Sequence, residues 1–515
     1  MLTLNADGIK DALEKIVDRN LDALIRDTTR IIGFETVSGG TPAQEARYQE
    51  QIPACLAWLE ALATRHGFRF QNFENESAEI EWAIEPQPGE GRRCVFGIAT
   101  HIDVVTPAGN WSHPPFGGEV VDGILYGRGI QDDKGPLMQA FYGLVAVKEA
   151  GIRPPCDVRI IIGTKEETGD WSDIHNYVKR RGAPDYSFTP DADFPVITGE
   201  KGMINVIVSA KWPAVAPNAE TGMLFMSLRG GERSNIVPAL AEAALRFPAE
   251  NRHDVMKELV RETTVFTVEN HGSNVTLVPN NEKDLATTGV YEALVSFVGK
   301  AAHSSTPSAG HNAIADAMKF FADIESIPPT VRAYIQFLAL ASAETDGSTL
   351  GIASTHPFVG DTTAVVSLAE VGPEGGKATL NIRPTMGLPA AEALERVRAV
   401  AAAFTDATGL ELEVSPGPKM VDAIFLDPNR EGIGPFLESL KTAYSTVTGL
   451  PGRMMAVGGT TYAKAIPNCC AFGPVLDGVD KELAHQANEH LAVSSIRRNA
   501  LIYGLSVALM GRNVG

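Results

Sequence analysis

The sequence is short of cysteine and of long apolar runs. Its five cysteines, Cys55, Cys94, Cys156, Cys469 and Cys470, lack metal-type spacing and stand mostly in apolar contexts, so we expect reduced thiols rather than a disulfide framework. No uninterrupted apolar run reaches the length of a membrane span, and charges interrupt the first 20 residues where a signal peptide would need an apolar stretch. These absences predict a soluble chain in the cytoplasm.

Basic residues are also scarce. The chain has 44 Lys and Arg against 63 Asp and Glu, a formal net charge of −19, and no local run of basic residues. A nucleic acid or an anionic membrane would require a basic surface, so we expect neither as a partner. Hydrophobic residues, by contrast, are plentiful. The 515 residues with 44% hydrophobic content can form hydrophobic cores and predict two or three folded domains.

The first 200 residues alternate between helix and strand patterns. Apolar residues at helical spacing predict a helix over 7–33, and CVFGIAT (94–100) is typical of a buried strand. A helix over 137–147 and a second buried strand, DVRIIIG (157–163), follow. Strand, helix and strand form the parallel unit of an α/β sheet flanked by helices, in which ligand sites gather at the carboxyl ends of the strands.

The pattern changes over 203–418 and then returns. Strand candidates there alternate with helices at 311–324 and 389–405; the candidates are MINVIVSA, TAVVSLAEV, KATLNIRP and LELEVSP. After Pro418, a helix at 432–448, a strand at CCAFG and a helix from 493 resemble the first part. We therefore predict a discontinuous α/β catalytic domain, 1–202 and 419–515, interrupted by an α+β insertion at 203–418.

Two adjacent glutamates, Glu166 and Glu167, follow the second buried strand in GTKEETG. Side chains alternate sides in an extended segment, so neighbouring carboxylates should meet different partners, and buried carboxylates need compensating charge. The alternative interpretation is a solvated corner between strand and loop, because Glu is mostly exposed in proteins. The rest of the chain has to decide between the two.

Further ionisable residues occur at comparable places. They are His101 and Asp103 after the first strand, Asp132 and Asp133 before the 137–147 helix, Asp191 and Asp193 in TPDADFPV, and His485 in AHQANEH. Each has an ordinary explanation; acids at a helix start, for example, serve as caps. Jointly, however, they place histidines and carboxylates where successive strand ends converge.

Imidazoles and carboxylates without thiolates suit divalent ions such as zinc, manganese or cobalt. One ion would leave carboxylates over, whereas two ions bridged by one carboxylate would use them all. An activated water between two ions would need a base. One glutamate of the adjacent pair could then bind metal while its neighbour handles the proton.

Seven stretches in this order carry a family resemblance: ATHIDVV, GRGIQDDKGP, GTKEETG, TPDADFPVITGEKG, GKAAHSSTP, GGTTYAKAIP and AHQANE. They resemble the co-catalytic metallopeptidases of clan MH, which include acetylornithine deacetylase, succinyl-diaminopimelate desuccinylase, carnosinase and the PepV-type dipeptidases. TPDADFPVITGEKG is most similar to the dipeptidase branch. The resemblance implies a zinc-peptidase-like catalytic domain with a mixed, mainly parallel sheet and a ferredoxin-like lid in the insertion.

The resemblance also implies a ligand set. His101 and Asp191 would bind one metal ion, Glu167 and His485 the other, and Asp132 would bridge them. Glu166 would be the general base, and Asp103 would accept a hydrogen bond from the second nitrogen of His101. Family members have a cis peptide after the bridging aspartate, so we expect one at Asp132-Asp133. The implied cofactor is a pair of divalent ions, with zinc favoured and manganese or cobalt as alternatives.

Residues of the insertion match lid positions of the family. His303 would donate a hydrogen bond to the oxyanion, although without the resemblance it could equally be a loop or cap residue. Asn235 and Arg383 would hold the backbone or the terminal carboxylate of the substrate. Gly458 and Gly459 would allow close approach of the backbone to the substrate, with a plain turn as the alternative.

The implied function is a metallo-dipeptidase that cleaves dipeptides or short peptides. The nearest alternative is an N-acyl-amino-acid amidohydrolase with the same site, and a catalytically inactive binding protein is a third. The loop DVVTPAGNW and the segment LNIRPT depart from the family pattern, which leaves side-chain specificity open. The insertion is longer than the single lid of dimeric relatives and resembles the enlarged PepV-type lid, so we favour a monomer over a homodimer.

Overall fold

The computed structural model describes residues 5–214, 217, 221–270, 272–279 and 289–510. These residues divide into two compact units. Unit 1 comprises the described residues up to Gly199, together with Phe425–Ala456 and those from Thr460 onward. Unit 2 comprises Glu200–Ile424 and Val457–Gly459. The domains predicted from the sequence, 1–202 with 419–515 and the insertion 203–418, stay a prediction.

Unit 1 contains helices of widely different length. They are α1 (Ala6–Ile32), α2 (Pro42–Arg65), α3 (Lys134–Glu149) and α4 (Ser172–Arg181). Its strands up to residue 200 are β1 (Arg69–Phe73), β2 (Ser77–Trp82), β3 (Val95–His101), β4 (Glu119–Val121), β5 (Ile124–Tyr126), β6 (Asp157–Gly163), β7 (Tyr186–Thr189), β8 (Ala192–Asp193) and β9 (Val196–Glu200).

Unit 2 contains the elements of the insertion. Its strands are β10 (Met203–Lys211), β11 (Leu224–Gly230), β12 (Leu240–Pro248), β13 (Asn274–Pro279), β14 (Val290–Val298), β15 (Thr355–His356), β16 (Gly360–Asp361), β17 (Thr363–Gly372), β18 (Gly375–Arg383) and β19 (Glu413–Val421). Its helices are α5 (Arg252–Glu269), α6 (Ala313–Ala322), α7 (Pro329–Ser342) and α8 (Ala390–Thr408).

The chain then returns to unit 1. The short strand β20 (Ile424–Phe425) leads into it, followed by α9 (Ile433–Thr448), β21 (Met454–Val457), β22 (Cys469–Ala471), β23 (Pro474–Val475), β24 (His490–Ala492) and α10 (Val493–Leu509).

The main sheet of unit 1 is mixed. Its strand order is β1-β2-β6-β3-β7-β22-β9-β20, with β21 paired to β9. The central strands β6, β3, β7 and β22 run parallel, and β1, β2 and β9 pair antiparallel at the sides. Helices α3, α10, α1 and α9 pack with the apolar side chains of these strands in one core. The predicted α/β fold class is confirmed.

The register of β3 against β6 positions several of the candidate site residues. His101, the last residue of β3, pairs with Gly163, the last residue of β6. Because parallel strands end at the same edge of a sheet, the residues that follow both strands lie side by side. The adjacent pair Glu166-Glu167 therefore starts from the same edge as His101.

Two cysteines correct the prediction that all thiols are reduced. Cys94 and Cys156 form a disulfide, with 4.7 Å between their Cα atoms. They immediately precede the paired strands β3 and β6, so the parallel register brings them together. The sequence spacing of 62 residues gave no sign of this pairing. Cys55, Cys469 and Cys470 are buried free thiols. The disulfide removes the cysteine-based argument for a reducing compartment.

Unit 2 is an antiparallel sheet covered by helices. Its strand order is β13-β14-β12-β11-β17-β18-β10-β19. The pairing at the middle is short, because β11 contacts β17 only over Leu228–Gly230. Helices α5, α6, α7 and α8 bury the apolar face of the sheet in a second core. None of the helices in the described part of the chain has the length and apolarity that a membrane span requires.

Candidate metal centre and lid residues

Asp103 organises the strand ends of unit 1. Its carboxylate is fully buried and accepts hydrogen bonds from the backbone amides of Glu166 and Glu167, both at 3.1 Å, and from the Ser38 hydroxyl at 2.8 Å. One side chain thus holds two successive amides of the glutamate pair. Bonds to an ionised acceptor are stronger than neutral ones, so this contact fixes the backbone from which both glutamates project.

His101 is held between carboxylates. Its Nδ1 lies 3.0 Å from the Asp103 backbone oxygen and 3.3 Å from Asp103 Oδ1. Its Nε2 lies 2.9 Å from Asp132 Oδ1 and 3.8 Å from Asp191 Oδ2. The backbone oxygen or Oδ1 of Asp103 can accept a hydrogen bond from Nδ1–H, which leaves the Nε2 lone pair directed at Asp132 and Asp191.

Asp132 lies between the two histidines. Its Oδ1 is 2.9 Å from His101 Nε2, and its Oδ2 is 2.9 Å from His485 Nε2. The peptide bond between Asp132 and Asp133 is cis, as expected. Glu489 holds the preceding loop, because its Oε1 accepts from the amides of Gly129 (3.1 Å) and Gln131 (2.8 Å). The two carboxylate oxygens of Asp132 thus each contact one of the two histidines, so this side chain could bind two ions at once.

The two adjacent glutamates point to different groups of ligands. His101, Glu166 and Asp191 each offer a ligand atom within 4.8 Å of the others, and so do Asp132, Glu167 and His485. In the second group, Glu167 Oε2 is 3.1 Å from His485 Nε2. The structure therefore gathers all the predicted metal residues, and it adds Glu166 to the group of His101 and Asp191.

The donor atoms fit divalent cations. Among the described residues, His101 Nε2, Asp132 Oδ1 and Glu167 Oε1 are buried without a partner in hydrogen-bonding geometry. Burial, together with the charge of Asp132, raises the pKa of Asp191 to about 7 and also raises the pKa of Glu167. Carboxylates crowded in this way are costly unless a cation compensates them. Imidazole and carboxylate donors without thiolate suit zinc, manganese or cobalt.

Asp133 and Asp193, like Asp103, lie outside both groups. Asp133 is buried and accepts through Oδ2 from the backbone amide of His101 at 3.2 Å. Asp193 lies on β8, and burial with the charges of Glu482 and Asp477 raises its pKa to about 6. Asp133 thus supports the strand end that carries His101.

The predicted lid residues lie in unit 2, where Arg383 contacts Gly458. His303 forms an isolated antiparallel bridge with Ile236, next to Asn235, whose backbone oxygen accepts from the Ser304 amide at 2.9 Å. Arg383 is 3% exposed and donates from Nε to Asn381 Oδ1 and from Nη1 to the Gly458 oxygen, both at 3.0 Å. Burial lowers the pKa of Arg383 to about 10, so its guanidinium stays charged at neutral pH.

The two glycines differ in the space around them. A Cβ atom on Gly458 would lie 1.9 Å from Ser305 Cβ, so residue 458 must be glycine if Ser305 keeps its place. A Cβ atom on Gly459 would meet one methyl group of Val457, at 3.9 Å. The close approach that requires glycine at 458 is therefore to the side chain of Ser305. Contact of either glycine with substrate stays a prediction.

Sequence reasoning missed a group of residues that supports the glutamate loop. Asp173 is buried and accepts through Oδ2 from the amides of Thr164 (2.7 Å) and Lys165 (2.9 Å) and from the Tyr462 hydroxyl (2.5 Å). The indole of Trp171 donates to the backbone oxygen of Glu166 at 3.2 Å. Tyr462 stands 289 residues from Asp173 in the sequence, and no local pattern predicts such a contact.

Comparison with known proteins gives consistent results. The sequence pattern of Peptidase family M20/M25/M40 matches residues 97–508. The chain is 29% identical to the protein YtjP of Bacillus subtilis (strain 168) over 498 residues, 95% of this chain and 98% of that one. It is 27% identical to the Beta-Ala-Xaa dipeptidase of Lactobacillus delbrueckii subsp. lactis over 499 residues, 96% of this chain and 97% of that one.

Solved structures share the fold. Human carnosine dipeptidase 1 matches with a TM-score of 0.57 at 14% identity, covering 98% of both chains. Aminoacylhistidine dipeptidase from Vibrio alginolyticus matches with a TM-score of 0.57 at 15% identity, covering 95% of this chain and 96% of that one.

Proposed function

This chain belongs to peptidase family M20/M25/M40, and from that membership we propose that it is a metal-dependent dipeptidase. The observation that carries the proposal is the pair of ligand groups in unit 1. His101 and Asp191 lie in one group, Glu167 and His485 in the other, and Asp132 contacts a histidine of each. Such an arrangement suits two ions that share one carboxylate.

The residues have separate roles in this proposal. His101 and Asp191 would hold one ion, Glu167 and His485 the other, and Asp132 both, with zinc favoured over manganese or cobalt for imidazole and carboxylate donors. Two ions held there would lower the pKa of a bound water to about 7 and polarise the carbonyl of the substrate. Asp103 fixes the orientation of His101 and the backbone of both glutamates.

Glu166 is proposed as the general base. Its side chain is buried beside His101 and Asp191, and its backbone is held at the amide by Asp103 and at the carbonyl by Trp171. A carboxylate fixed in this way can take a proton from the attacking water and pass it to the departing amine. His303 would donate a hydrogen bond to the oxyanion, and Arg383 and Asn235 would hold the substrate.

Dipeptides are the proposed substrates. One relative with nearly complete coverage is named a Beta-Ala-Xaa dipeptidase. A charged, oriented guanidinium such as that of Arg383 suits the terminal carboxylate of a short peptide. N-acyl amino acids carry the same carboxylate, so an N-acyl-amino-acid amidohydrolase is the second candidate function.

A substrate panel separates the two functions. Metal-stripped protein resupplied with zinc, manganese or cobalt should hydrolyse free dipeptides or β-alanyl dipeptides. Hydrolysis confined to N-acetyl or N-succinyl amino acids would instead establish the amidohydrolase. No hydrolysis of any substrate with metal bound would favour a binding protein.

The adjacent glutamates provide a matched test of the site. Glu166→Gln should retain two ions per chain and lose at least about 100-fold in kcat, because it removes only the base. Glu167→Gln should lose metal, because it removes a ligand. Metal content by elemental analysis and hydrolysis rates decide. Loss of metal in Glu166→Gln would show that Glu166 is a ligand, as its place beside His101 and Asp191 allows, and would overturn its assignment as the base.

A monomer is the proposed assembly. The two halves of the unit 2 sheet, β13-β14-β12-β11 and β17-β18-β10-β19, pair through β11 and β17 of the same chain. Pairing within one chain occupies an edge that two copies could otherwise share. Sedimentation at several protein concentrations tests this, and a stable dimer would contradict it.

A further inference from the structure

The imidazole of His303 makes two hydrogen bonds with the residue two positions later. Its Nδ1 lies 2.6 Å from the hydroxyl oxygen of Ser305 and accepts from the Ser305 backbone amide at 3.3 Å. Both contacts involve the same ring nitrogen. The Nε2 atom on the other side of the ring takes part in neither.

The backbone amide indicates which nitrogen carries the proton. An amide N–H can only donate, so Nδ1 must present its lone pair to Ser305. The Ser305 hydroxyl can rotate and therefore donates to the same lone pair. A proton on Nδ1 would point at the amide hydrogen and lose that bond. The ring proton of neutral His303 must then be on Nε2.

Ser305 is itself held in place. It is 8% exposed, and its backbone oxygen accepts from Lys201 Nζ at 3.5 Å. Its side chain packs against Gly458, where a Cβ atom would overlap it. The preceding Ser304 is buried and donates to Asn381 Oδ1 at 2.6 Å, the same oxygen that accepts from Arg383. The turn that carries His303 and Ser305 is thus linked to Arg383 through the side chain of Asn381.

The ring is also neutral at neutral pH. Burial, with a smaller contribution from the nearby charge of Arg383, lowers the pKa of His303 to about 4. A neutral imidazole donates from one nitrogen only, so its tautomer determines whether Nε2 is a donor or an acceptor. An Nδ1-protonated ring would present a lone pair at Nε2, which repels an oxyanion.

We propose that Ser305 is a positioning residue that fixes His303 in the tautomer with its proton on Nε2. The proposal rests on the proposed function, in which His303 donates to the oxyanion of the tetrahedral intermediate. Ser305 acts through His303 and does not touch the substrate. It prepares the donor before the reaction starts, so no reorganisation is needed when negative charge develops.

The test is nuclear magnetic resonance of the full chain with ¹⁵N-labelled histidine. The chain has 11 histidines, and the signals of His303 are assigned by their loss in His303→Gln. Wild type should show a protonated Nε2 and an unprotonated Nδ1 for His303. Ser305→Ala removes the shorter bond to Nδ1, at 2.6 Å, and leaves only the longer amide bond at 3.3 Å, so an Nδ1-protonated fraction should appear. The kcat should fall by about fivefold, the effect expected for one neutral hydrogen bond, with KM changed by less than about twofold.

Thr306→Ala is the matched control. Thr306 belongs to the same turn and is exposed, and its hydroxyl contacts the His303 backbone oxygen at 3.4 Å but not the ring. Its removal should change neither the tautomer nor kcat. A loss in Thr306→Ala equal to that in Ser305→Ala would indicate a general effect on the turn and would overturn the proposal.

The remaining outcomes separate this proposal from the proposed function. A wild-type His303 with its proton on Nδ1 would overturn the proposal, even if Ser305→Ala did not fold. So would a Ser305→Ala variant with the tautomer and kcat of wild type. If the spectra behave as expected but His303→Gln keeps wild-type kcat, the effect of Ser305 on the tautomer stands, and the role of His303 in the reaction is wrong.

Discussion

Replacing Tyr462 by phenylalanine should destabilise unit 1 through a single hydrogen bond. The Tyr462 hydroxyl donates to Asp173, whose carboxylate also holds the amides of Thr164 and Lys165 immediately before Glu166. Phenylalanine fills the same volume, so the substitution removes the hydroxyl without opening a cavity large enough to matter. The effect therefore measures the contribution of this bond to the loop that carries the glutamates.

The magnitude follows from the charge of the acceptor. A hydrogen bond to a charged group contributes about 2 kcal/mol, so Tyr462→Phe should lower the free energy of unfolding by about 2 kcal/mol. Tyr48 donates to the neutral backbone oxygen of Thr164 at 2.6 Å, so Tyr48→Phe should cost about 1 kcal/mol. Tyr503 is fully buried, and its hydroxyl has no hydrogen-bond partner among the described residues, so Tyr503→Phe should be neutral or slightly stabilising.

Urea unfolding followed by tryptophan fluorescence can resolve this series. The chain has five tryptophans, and Trp212 is the one in unit 2, so a Trp212→Phe background makes fluorescence report on unit 1 alone. The three tyrosine variants are then compared by their midpoints at equal slopes. Equal losses in Tyr462→Phe and Tyr503→Phe would refute the reasoning, because the effect would then not depend on the acceptor.

The pH dependence gives a second measure of the same bond. Burial raises the pKa of Asp173, and the bond from Tyr462 opposes that rise. Without the bond the pKa of Asp173 in the folded state rises further, so the folded variant binds more protons than folded wild type over that range. By linkage, the stability of Tyr462→Phe relative to wild type should fall as the pH rises through that pKa. If the stability difference between Tyr462→Phe and wild type did not change with pH, the effect would not act through the ionisation of Asp173.

Four further substitutions have defined outcomes. Asp103→Ala should weaken metal binding by about 10- to 100-fold in a chelator titration, because it removes the carboxylate that accepts from both glutamate amides and lies 3.3 Å from His101 Nδ1. Gly458→Ala should cost about 1 to 3 kcal/mol in unfolding free energy because its Cβ would overlap Ser305, whereas Gly459→Ala, with its nearest neighbour at 3.9 Å, should cost little. Arg383→Lys should raise KM for dipeptides with less effect on kcat, because lysine cannot reproduce the two-pronged grip on a carboxylate; an unchanged KM would contradict that role.

Two central strands of the unit 1 sheet were predictable because they are short, mainly apolar runs with clear ends. The predicted strands 94–100 and 157–163 correspond to β3 (Val95–His101) and β6 (Asp157–Gly163). Such runs are typical of buried parallel strands and leave little choice of structure. The convergence of functional residues at the carboxyl edge followed from the parallel order alone.

Helix α2 shows where local patterns fail. It spans Pro42–Arg65 and continues through Pro53, a residue that usually interrupts helices. It starts with a capping box formed by Thr41 and Gln44, a local signal that is visible in the sequence. Tertiary packing, with Cys55, Leu56 and Leu59 fully buried, keeps this helix intact beyond the proline.

The supporting contacts of the site could not be predicted because they join distant segments. The ligand types were readable from the sequence, but Tyr462 meets Asp173 across 289 residues, and Ser305 acquires its role only through the orientation of one imidazole. Tyrosine and serine are common residues without a distinctive spacing. Only the three-dimensional arrangement shows which of them contact a functional side chain.

The adjacent glutamates Glu166 and Glu167 contribute to two different candidate ligand groups. Glu166 and Glu167 lie in the turn that follows β6 rather than in the strand itself, and their side chains belong to different ligand groups. Their amides nevertheless converge, because both donate to Asp103. Asp103 thus fixes the backbone of both glutamates, while their carboxylates reach the two separate ligand groups. Inserting one glycine between them should separate the amides from Asp103 and abolish metal binding, whereas an insertion after Thr168, beyond both amides, should leave metal content closer to wild type. Equal metal content in the two insertion variants would show that the hydrogen bonds from both amides to Asp103 do not determine where Glu166 and Glu167 lie.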